Sequence, residues 1–381
     1  MRLRETNKRN KIRGLSLFLR TFGCQMNVGD SSYIRDIFVN HGIFESDKLD
    51  NADIAVVNTC VVRQSAENKA YSYIAGLRRW KLQKNGRKVI IAGCMAEKSR
   101  NIILTHFPFV DLIIGAKQIE DAMPIISDFI KQSGIKPGSK PQITGSTSEF
   151  VPVMRGCENF CSYCIVPYVR GKEISIPPGA IESEIRKKIK NGSDSITLVG
   201  QNVNSYRYVD AKSGKRIDFT GLLMTASKIK GLKKLSFMTS HPKDMKKKLI
   251  LFAAESAIMD KNLHFPLQSG SNRILRLMNR GYTREDFLNI VRYIHKKAPG
   301  IKISTDIIVG FPGESRKDFK LTLDAIKKSR FYKIYAFKYS PREGTAAYRF
   351  GDDVPLEIKE QRLKIVHELH KNIIKTEKKC R

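Results

Sequence analysis

Cys157, Cys161 and Cys164 lie in the stretch "MRGCENFCSYCIVPYVRG", residues 154–171, spaced C-x3-C-x2-C. Thiolates are soft ligands that suit zinc, copper(I) and iron–sulfur clusters. Structural zinc takes four protein ligands, and no second cysteine pair follows here. A triplet fits a four-iron cluster in which one iron has no protein ligand and stays open to an outside molecule.

The chain holds seven cysteines; the others are Cys24, Cys60, Cys94 and Cys380. A reduced interior uses such thiols for metal or catalysis more than for disulfides. Three of the four end short apolar runs: "LSLFLRTFGC", "IAVVNTC" and "VIIAGC". Ligand sites in open α/β sheets lie outside the carboxyl ends of the strands, so three distant thiols can converge on one sheet edge. Free cysteine is also among the most buried residue types, and three core cysteines are the alternative. The threefold recurrence at strand ends favours convergence. Gly23 and Gly93 precede two of the thiols, as a tight turn or a close backbone approach requires. Asn27 and Asn58 flank them, either tuning a cluster by hydrogen bonding or stabilising turns. Cys380, at the end of the last helix, reads as a surface thiol.

The elements that must position these residues alternate. "LSLFLR", "DIAVVN", "KVIIAG" and "VDLIIG" read as strands, with helical patterns over 33–38, 66–77 and 96–104. This predicts an α/β fold with an open parallel sheet over residues 14–131. Residues 132–148, rich in Gly, Pro, Ser and Lys, read as a linker. From 149 to 375 the alternation resumes. The strands are "VPVMR", "SITLVG", "KLSFM", "LHFPL", "IKISTDIIVG" and "KIYAFKY", with helices over 180–189, 274–278, 286–295 and 319–326. Six such units predict a partial (β/α)6 barrel, whose chemistry sits at the strand carboxyl ends. That rim carries Cys157, Gln201-Asn202, Ser240-His241, Gln268-Ser269, Glu314 and Ser340-Arg342. Polar loops follow strands in any fold, so each of these taken singly carries little. A last amphipathic helix places Ile358, Leu363, Val366, Leu369 and Ile373 near one face.

Lys and Arg number 69 against 37 Asp and Glu, a net charge of +32. Such an excess favours a polyanionic partner. No apolar run approaches the ~20 residues of a membrane span, and "LSLFL" is shorter than the ~7–15 residues of a signal-peptide core. The residues thus point to a cytoplasmic protein whose polyanion is nucleic acid rather than a membrane. Residues 1–14 read as a basic arm.

C-x3-C-x2-C after a barrel strand resembles the radical S-adenosylmethionine enzymes. "FGCQMNVGDS", "VVNTCVVRQSAENK", "AGCMAE", "GCENFCSYCIVPYVRG", "LVGQNVNSY", "TSHPKD", "PLQSGSNRILRLMNRGYT", "STDIIVGFPGE" and "YSPREGTAA", in this order, are similar to the methylthiotransferases over about residues 15–375. "GCQMN", "GQNVNSY" and "SHPKD" most resemble the tRNA-2-methylthio-N6-dimethylallyladenosine synthases. The resemblance implies two [4Fe-4S] clusters. Cys157, Cys161 and Cys164 would hold the one that binds and cleaves S-adenosylmethionine; Cys24, Cys60 and Cys94 would hold the one carrying the sulfur to be inserted. It implies methylthiolation of carbon 2 of an isopentenylated adenosine beside the anticodon, at position 37. It gives Gly200, Gln201, Ser240, Gln268 and Gly310 a share in the S-adenosylmethionine and adenine pocket, with "GFPG" as a mere turn being the other reading. It implies tRNA, an electron donor such as flavodoxin or ferredoxin, and a sulfur or cluster donor as partners of a monomer. Other targets of the same chemistry are threonylcarbamoyl-adenosine tRNA and a ribosomal protein; a weakened iron–sulfur RNA-binding protein is the third reading. His241 and His264 fit a site role and a satisfied core position equally well. Family members usually continue into a small RNA-binding β-barrel, TRAM, and the expectation is a chain without it. Ile176 and Ser236 stand where the family usually has arginine.

Overall fold

The computed structural model describes residues 15–62, 64–134 and 149–379, which fall into two compact units on either side of residues 135–148. The basic arm, most of the linker and Cys380 lie outside the described residues.

The first unit runs β1 (Ser16–Thr21), α1 (Gln25–Asn40), β2 (Phe44–Glu45), β3 (Ile54–Thr59), α2 (Gln64–Leu82), β4 (Lys88–Gly93), α3 (Cys94–Lys98), α4 (Arg100–His106), β5 (Leu112–Gly115) and α5 (Ala122–Gln132). The sheet order is β2-β1-β3-β4-β5, with every pair parallel. β3 is central and buried at all its positions, as a parallel strand covered on both faces must be. Leu17, Ile34, Phe38, Val56, Ile90 and Ile126 pack one core layer. The helical pattern over 96–104 does not form one helix. Ser99, at φ −119° and ψ 27°, leaves the helical region and splits it into α3 and α4. β1, β3 and β4 are adjacent, and their carboxyl ends share one edge.

The second unit runs β6 (Phe150–Pro152), β7 (Met154–Arg155), α6 (Val166–Arg170), β8 (Ile174–Ser175), α7 (Pro178–Lys190), β9 (Ser195–Val199), β10 (Arg207–Val209), β11 (Arg216–Asp218), α8 (Phe219–Ala226), β12 (Lys234–Phe237), α9 (Lys247–Glu255), β13 (Asn262–His264), α10 (Asn272–Leu277), α11 (Arg284–Lys297), β14 (Lys302–Val309), α12 (Arg316–Ser329), β15 (Lys333–Lys338) and α13 (Leu356–Lys379). β6-β9-β12 and β13-β14-β15 form two parallel triplets. Leu235 joins them: its N–H donates to Ile258 O and its carbonyl accepts from Asp260 N, both at 2.8 Å. The result is an open six-stranded partial barrel, as the alternation predicts.

Three details depart from the sequence reading. "VPVMR" is not one strand: β6 stays in the barrel while β7 turns out to pair antiparallel with β8. The antiparallel hairpin β10–β11 carries no strong apolar run and escapes the pattern. Ile358 lies off the buried face of α13; Val366, Leu363, Leu369 and Ile373 pack on the barrel core. The first turns of α13 bury Lys359 and Arg362 instead, whose partners Asp352 and Glu314 are polar.

One glycine decides whether the cysteine loop can form. Gly156 has φ +72°, and a Cβ there would meet the Lys172 carbonyl oxygen at 1.8 Å and the Gly171 oxygen at 2.6 Å, both backbone atoms. The backbone conformation alone costs a non-glycine residue about 1–3 kcal/mol. Gly156→Ala should therefore lower the urea midpoint and reduce bound iron, both read on the purified full chain.

Candidate metal centres and cofactor pocket

Each thiol of the first unit sits at or just beyond a strand end. Cys24 is the exposed N-cap of α1, Cys60 follows β3 and is buried, and Cys94 opens α3 and is buried. A Cβ at Gly23 would lie 2.4 Å from Cys60 Cβ and 3.0 Å from its sulfur, so the Cys24 turn rests on Cys60. Gly93 has φ +93°, and Asn58 Oδ1 and the Thr59 carbonyl fill the space of its missing side chain.

Two fully buried asparagines stitch this edge. Asn27 Nδ2 donates to Thr59 O (2.8 Å) and Asn58 Oδ1 (3.3 Å). Asn58 Nδ2 donates to Asn27 O (2.9 Å) and Ser31 Oγ (3.0 Å). Thr59 Oγ1 donates to Ala92 O at 2.6 Å, tying β3 to β4. Cys24 Sγ lies 3.5 Å from Asn27 Oδ1, and the Val62 N–H donates to Cys60 Sγ at 3.4 Å. The asparagines are thus turn stabilisers, and Asn27 also touches a thiol.

In the second unit, the loop after β7 carries the triplet. Cys157 N–H donates to Gly171 O (3.1 Å), Cys164 N–H to Cys161 O (2.9 Å) and Ser162 N–H to Met278 O (3.0 Å). Burial pushes the Cys157 thiol up to about 11, with Glu173 and Cys161 adding to it. Burial, then Cys161 and Cys157, push Cys164 up to about 12. Both keep their protons at neutral pH unless a cation replaces them, as a ligating iron does. Among the described residues no three or more His, Cys, Asp or Glu side chains are grouped to hold a single metal ion. A cuboidal cluster holds its thiolates at separate corners, and the three-thiol donor set fits it.

The barrel rim presents acceptors without donors. Gln201 Oε1, Asn202 Oδ1, Gln268 Oε1 and Glu314 Oε1 are buried and have no hydrogen-bond partner among the described residues. Buried acceptors call for a donor, which an amino group of a cofactor or base can provide. Gly200 follows β9 and Met154 Cγ would meet a Cβ there at 2.5 Å. Ser240 Oγ donates to His264 O at 2.5 Å. Gln268 has φ +66° and bridges to Ile307 of β14. Gly310 N–H donates to Glu314 Oε2 at 2.7 Å, and the Lys359 side chain occupies the space beside its Cα. A polar cavity of about 350 Å³, with Glu158, Asn159, Glu173, Ser205, Arg207 and Lys243 in its walls, lies beside the cysteine loop. The sequence pattern does not single out these wall residues, because charged loop residues carry no periodic signal.

The two substituted positions are accommodated. Ile176 packs against the barrel core and its carbonyl accepts from Tyr206 Oη at 2.7 Å. Ser236 Oγ and Thr197 Oγ1 share a 2.7 Å hydrogen bond across β12 and β9. His264 reaches Ser304 Oγ at 3.0 Å and Asp306 Oδ2 at 3.3 Å.

His241 is buried, and that burial, with Arg280 and Lys243 nearby, pulls its pKa down to about 2. The folded protein therefore holds it neutral, while the unfolded chain protonates it below about 6.5. Its contribution to stability is present above that value and lost as pH falls, at up to about 1.4 kcal/mol per pH unit. His241→Gln should flatten the fall in stability between about pH 6.5 and 4.5, measured by urea unfolding. An unchanged slope would contradict the neutral buried imidazole.

Residues 16–115 match the uncharacterized protein family UPF0004, and residues 151–326 match the radical SAM superfamily. A tRNA-2-methylthio-N(6)-dimethylallyladenosine synthase of Endomicrobium trichonymphae is 40% identical over 352 residues, covering 92% of this chain and 83% of that protein. Proteins of that name from Syntrophus aciditrophicus and Clostridium tetani are 41% and 39% identical, covering 93% and 96% of this chain and 80% and 83% of their own lengths. Among solved structures, the radical S-adenosylmethionine methyltransferase TsrM from Kitasatospora setae, with cobalamin and a [4Fe-4S] cluster bound, gives a TM-score of 0.64 at 11% identity. It covers 88% of this chain and 77% of that one. The cobalamin-dependent radical enzyme OxsB gives 0.57 at 12% identity, covering 94% and 56%. At those identities the likeness is one of fold.

Proposed function

The chain belongs to the tRNA-2-methylthio-N(6)-dimethylallyladenosine synthases, radical S-adenosylmethionine enzymes, and from that premise we propose how its six cysteines divide the work. It is a tRNA methylthiotransferase acting on isopentenylated adenosine, and its cofactors are [4Fe-4S] clusters and S-adenosylmethionine. Cys157, Cys161 and Cys164 would hold the cluster that binds S-adenosylmethionine, and Cys24, Cys60 and Cys94 would hold the second. When bound, these groups supply a radical able to take hydrogen from an aromatic carbon and the sulfur that replaces it.

That C–H bond has no acid or nucleophile handle, so the work left to the protein is binding and placement. Gln201 and Gln268 offer unpaired acceptors to amino groups. Ser240 fixes the rim by its bond to the β13 end. Neutral His241 keeps a second positive charge away from buried Arg280. Gly200 and Gly310 leave room at their strand ends for the Met154 and Lys359 side chains. Residues 14–131 make the auxiliary-cluster domain and 149–375 the radical domain. The net charge of +32 attracts the tRNA backbone. A low-potential electron donor such as flavodoxin or ferredoxin and a sulfur or cluster donor complete the partners of a cytoplasmic monomer. Among the described residues no helix is long and apolar enough to cross a membrane.

The observation that carries this reading is the cysteine loop: three soft donors with no fourth, two of them protonated by burial until a cation binds. Anaerobic iron and sulfide analysis tests the division. Full chain should bind about eight irons, and C24A/C60A/C94A and C157A/C161A/C164A about four each. Eight irons surviving either triple replacement would sink it.

A further inference from the structure

The segment "MNRGYT", residues 278–283, lies against the cysteine loop. Its Arg280 is 4% exposed. It follows α10 through Asn279, which turns at φ +54°. The turn grips the cysteine loop at several points. Met278 O accepts from Ser162 N, and Asn279 Nδ2 donates to Asn159 O (3.3 Å) and Phe160 O (3.0 Å). Arg280 Nη1 donates to Cys161 Sγ at 3.2 Å and to Tyr163 Oη at 3.3 Å.

The other side of the guanidinium is fixed as firmly. Nη2 donates to Pro266 O (3.1 Å) and Nε to Tyr282 Oη (3.2 Å), while Tyr282 Oη donates to Leu267 O at 2.8 Å. Among the described residues Arg280 has no carboxylate partner. A buried cation without an anion costs several kcal/mol, and arginine cannot escape by losing its proton. The anion this site can supply is the Cys161 thiolate, once it is an iron ligand.

We propose that Arg280 is the counter-charge of the radical-generating cluster: its N–H···S bond to Cys161 stabilises the reduced cluster and raises its reduction potential. This rests on the assignment of Cys157, Cys161 and Cys164 made above. One electron enters the cluster from the external low-potential donor; no bond is made or broken, and the guanidinium keeps its protons. Hydrogen bonds to cluster sulfurs and nearby charge are levers by which proteins tune such potentials. Arg280 is thus a positioning residue that acts through Cys161.

The test uses the full chain in a C24A/C60A/C94A background, reconstituted with iron and sulfide, so that one cluster is read by EPR-monitored redox titration. Arg280→Gln should shift the one-electron equilibrium about tenfold toward the oxidised state, a midpoint about 59 mV lower. Arg280→Lys, which keeps the charge but not the fork, should shift it less. Equal midpoints at equal iron content overturn the role of Arg280. A background that holds no four-iron cluster overturns the cysteine assignment instead, and the proposal with it. A second measurement needs no substitution at 280. Protein labelled with 15N-arginine should show a weak 15N coupling to the reduced cluster in pulsed EPR, and its absence would overturn the hydrogen bond.

Discussion

Cys157→Ala gives a protein that forms no 5′-deoxyadenosine from S-adenosylmethionine, whereas Cys60→Ala still forms it and leaves the tRNA adenosine unthiolated. The loss in the first case should be at least about 10³-fold, the scale on which removal of an indispensable group is read. Two structural facts separate the outcomes. Cys157 belongs to a loop whose backbone is tied within the second unit, through Gly171 and Met278. Cys60 belongs to an edge tied within the first, through Asn27, Asn58 and Thr59. Neither hydrogen-bond set depends on the other, so each variant keeps the folded frame of the remaining site. Anaerobic assays with dithionite, following 5′-deoxyadenosine and methylthiolated nucleoside separately, read the split. Equal loss of both products in the two variants would contradict a division of labour between the thiol sets.

Arg362→Met should cost about 3–5 kcal/mol of stability near neutral pH, because it leaves a buried carboxyl without its cation. Arg362 Nη1 of α13 donates to Glu314 Oε2 at 2.5 Å and to the Glu314 carbonyl at 3.0 Å, and the Glu314 side chain is wholly buried. Burial raises the Glu314 pKa above the ordinary glutamate value, even with the Gly310 N–H and Arg362 pulling it down. A carboxyl with a raised folded pKa is favoured in its protonated form, so its penalty exists above that pKa and disappears as pH falls below the unfolded value. Loss of Arg362 removes one of the two groups holding the value down and widens that window. The urea midpoints of variant and native chain should therefore converge as pH is lowered from about 8 toward 5. A deficit that is small, or that does not change with pH, would contradict this account of how α13 closes over the β14 end.

Much of this site is readable in the sequence because its chemistry is local. C-x3-C-x2-C needs only one loop, and three apolar runs each ending in cysteine predict thiols on one sheet edge. β1, β3 and β4 are neighbours with their carboxyl ends together. Gly23 and Gly93 are readable for the same reason, since each stands directly before a cysteine and a single residue's φ decides it. The rest depends on long-range contacts. Arg280 meets Cys161 across 119 positions, and Arg362 meets Glu314 across 48. No period or motif spacing relates such pairs. Ile358 fits the apolar stripe of α13, yet the polar pairs of Lys359 and Arg362 set how its first turns face the barrel. β7 leaves the barrel to pair with β8, a later segment whose two paired residues are too few to show as a strand pattern.

Mass spectrometry of tRNA nucleosides, from cells that lack their own enzyme and express this chain, reads the assigned reaction at its product. The nucleoside 2-methylthio-N6-isopentenyladenosine should be present with the native chain and absent with Cys157→Ala. Only the unthiolated isopentenyl nucleoside, in cells that make soluble and iron-loaded protein, would contradict that assignment.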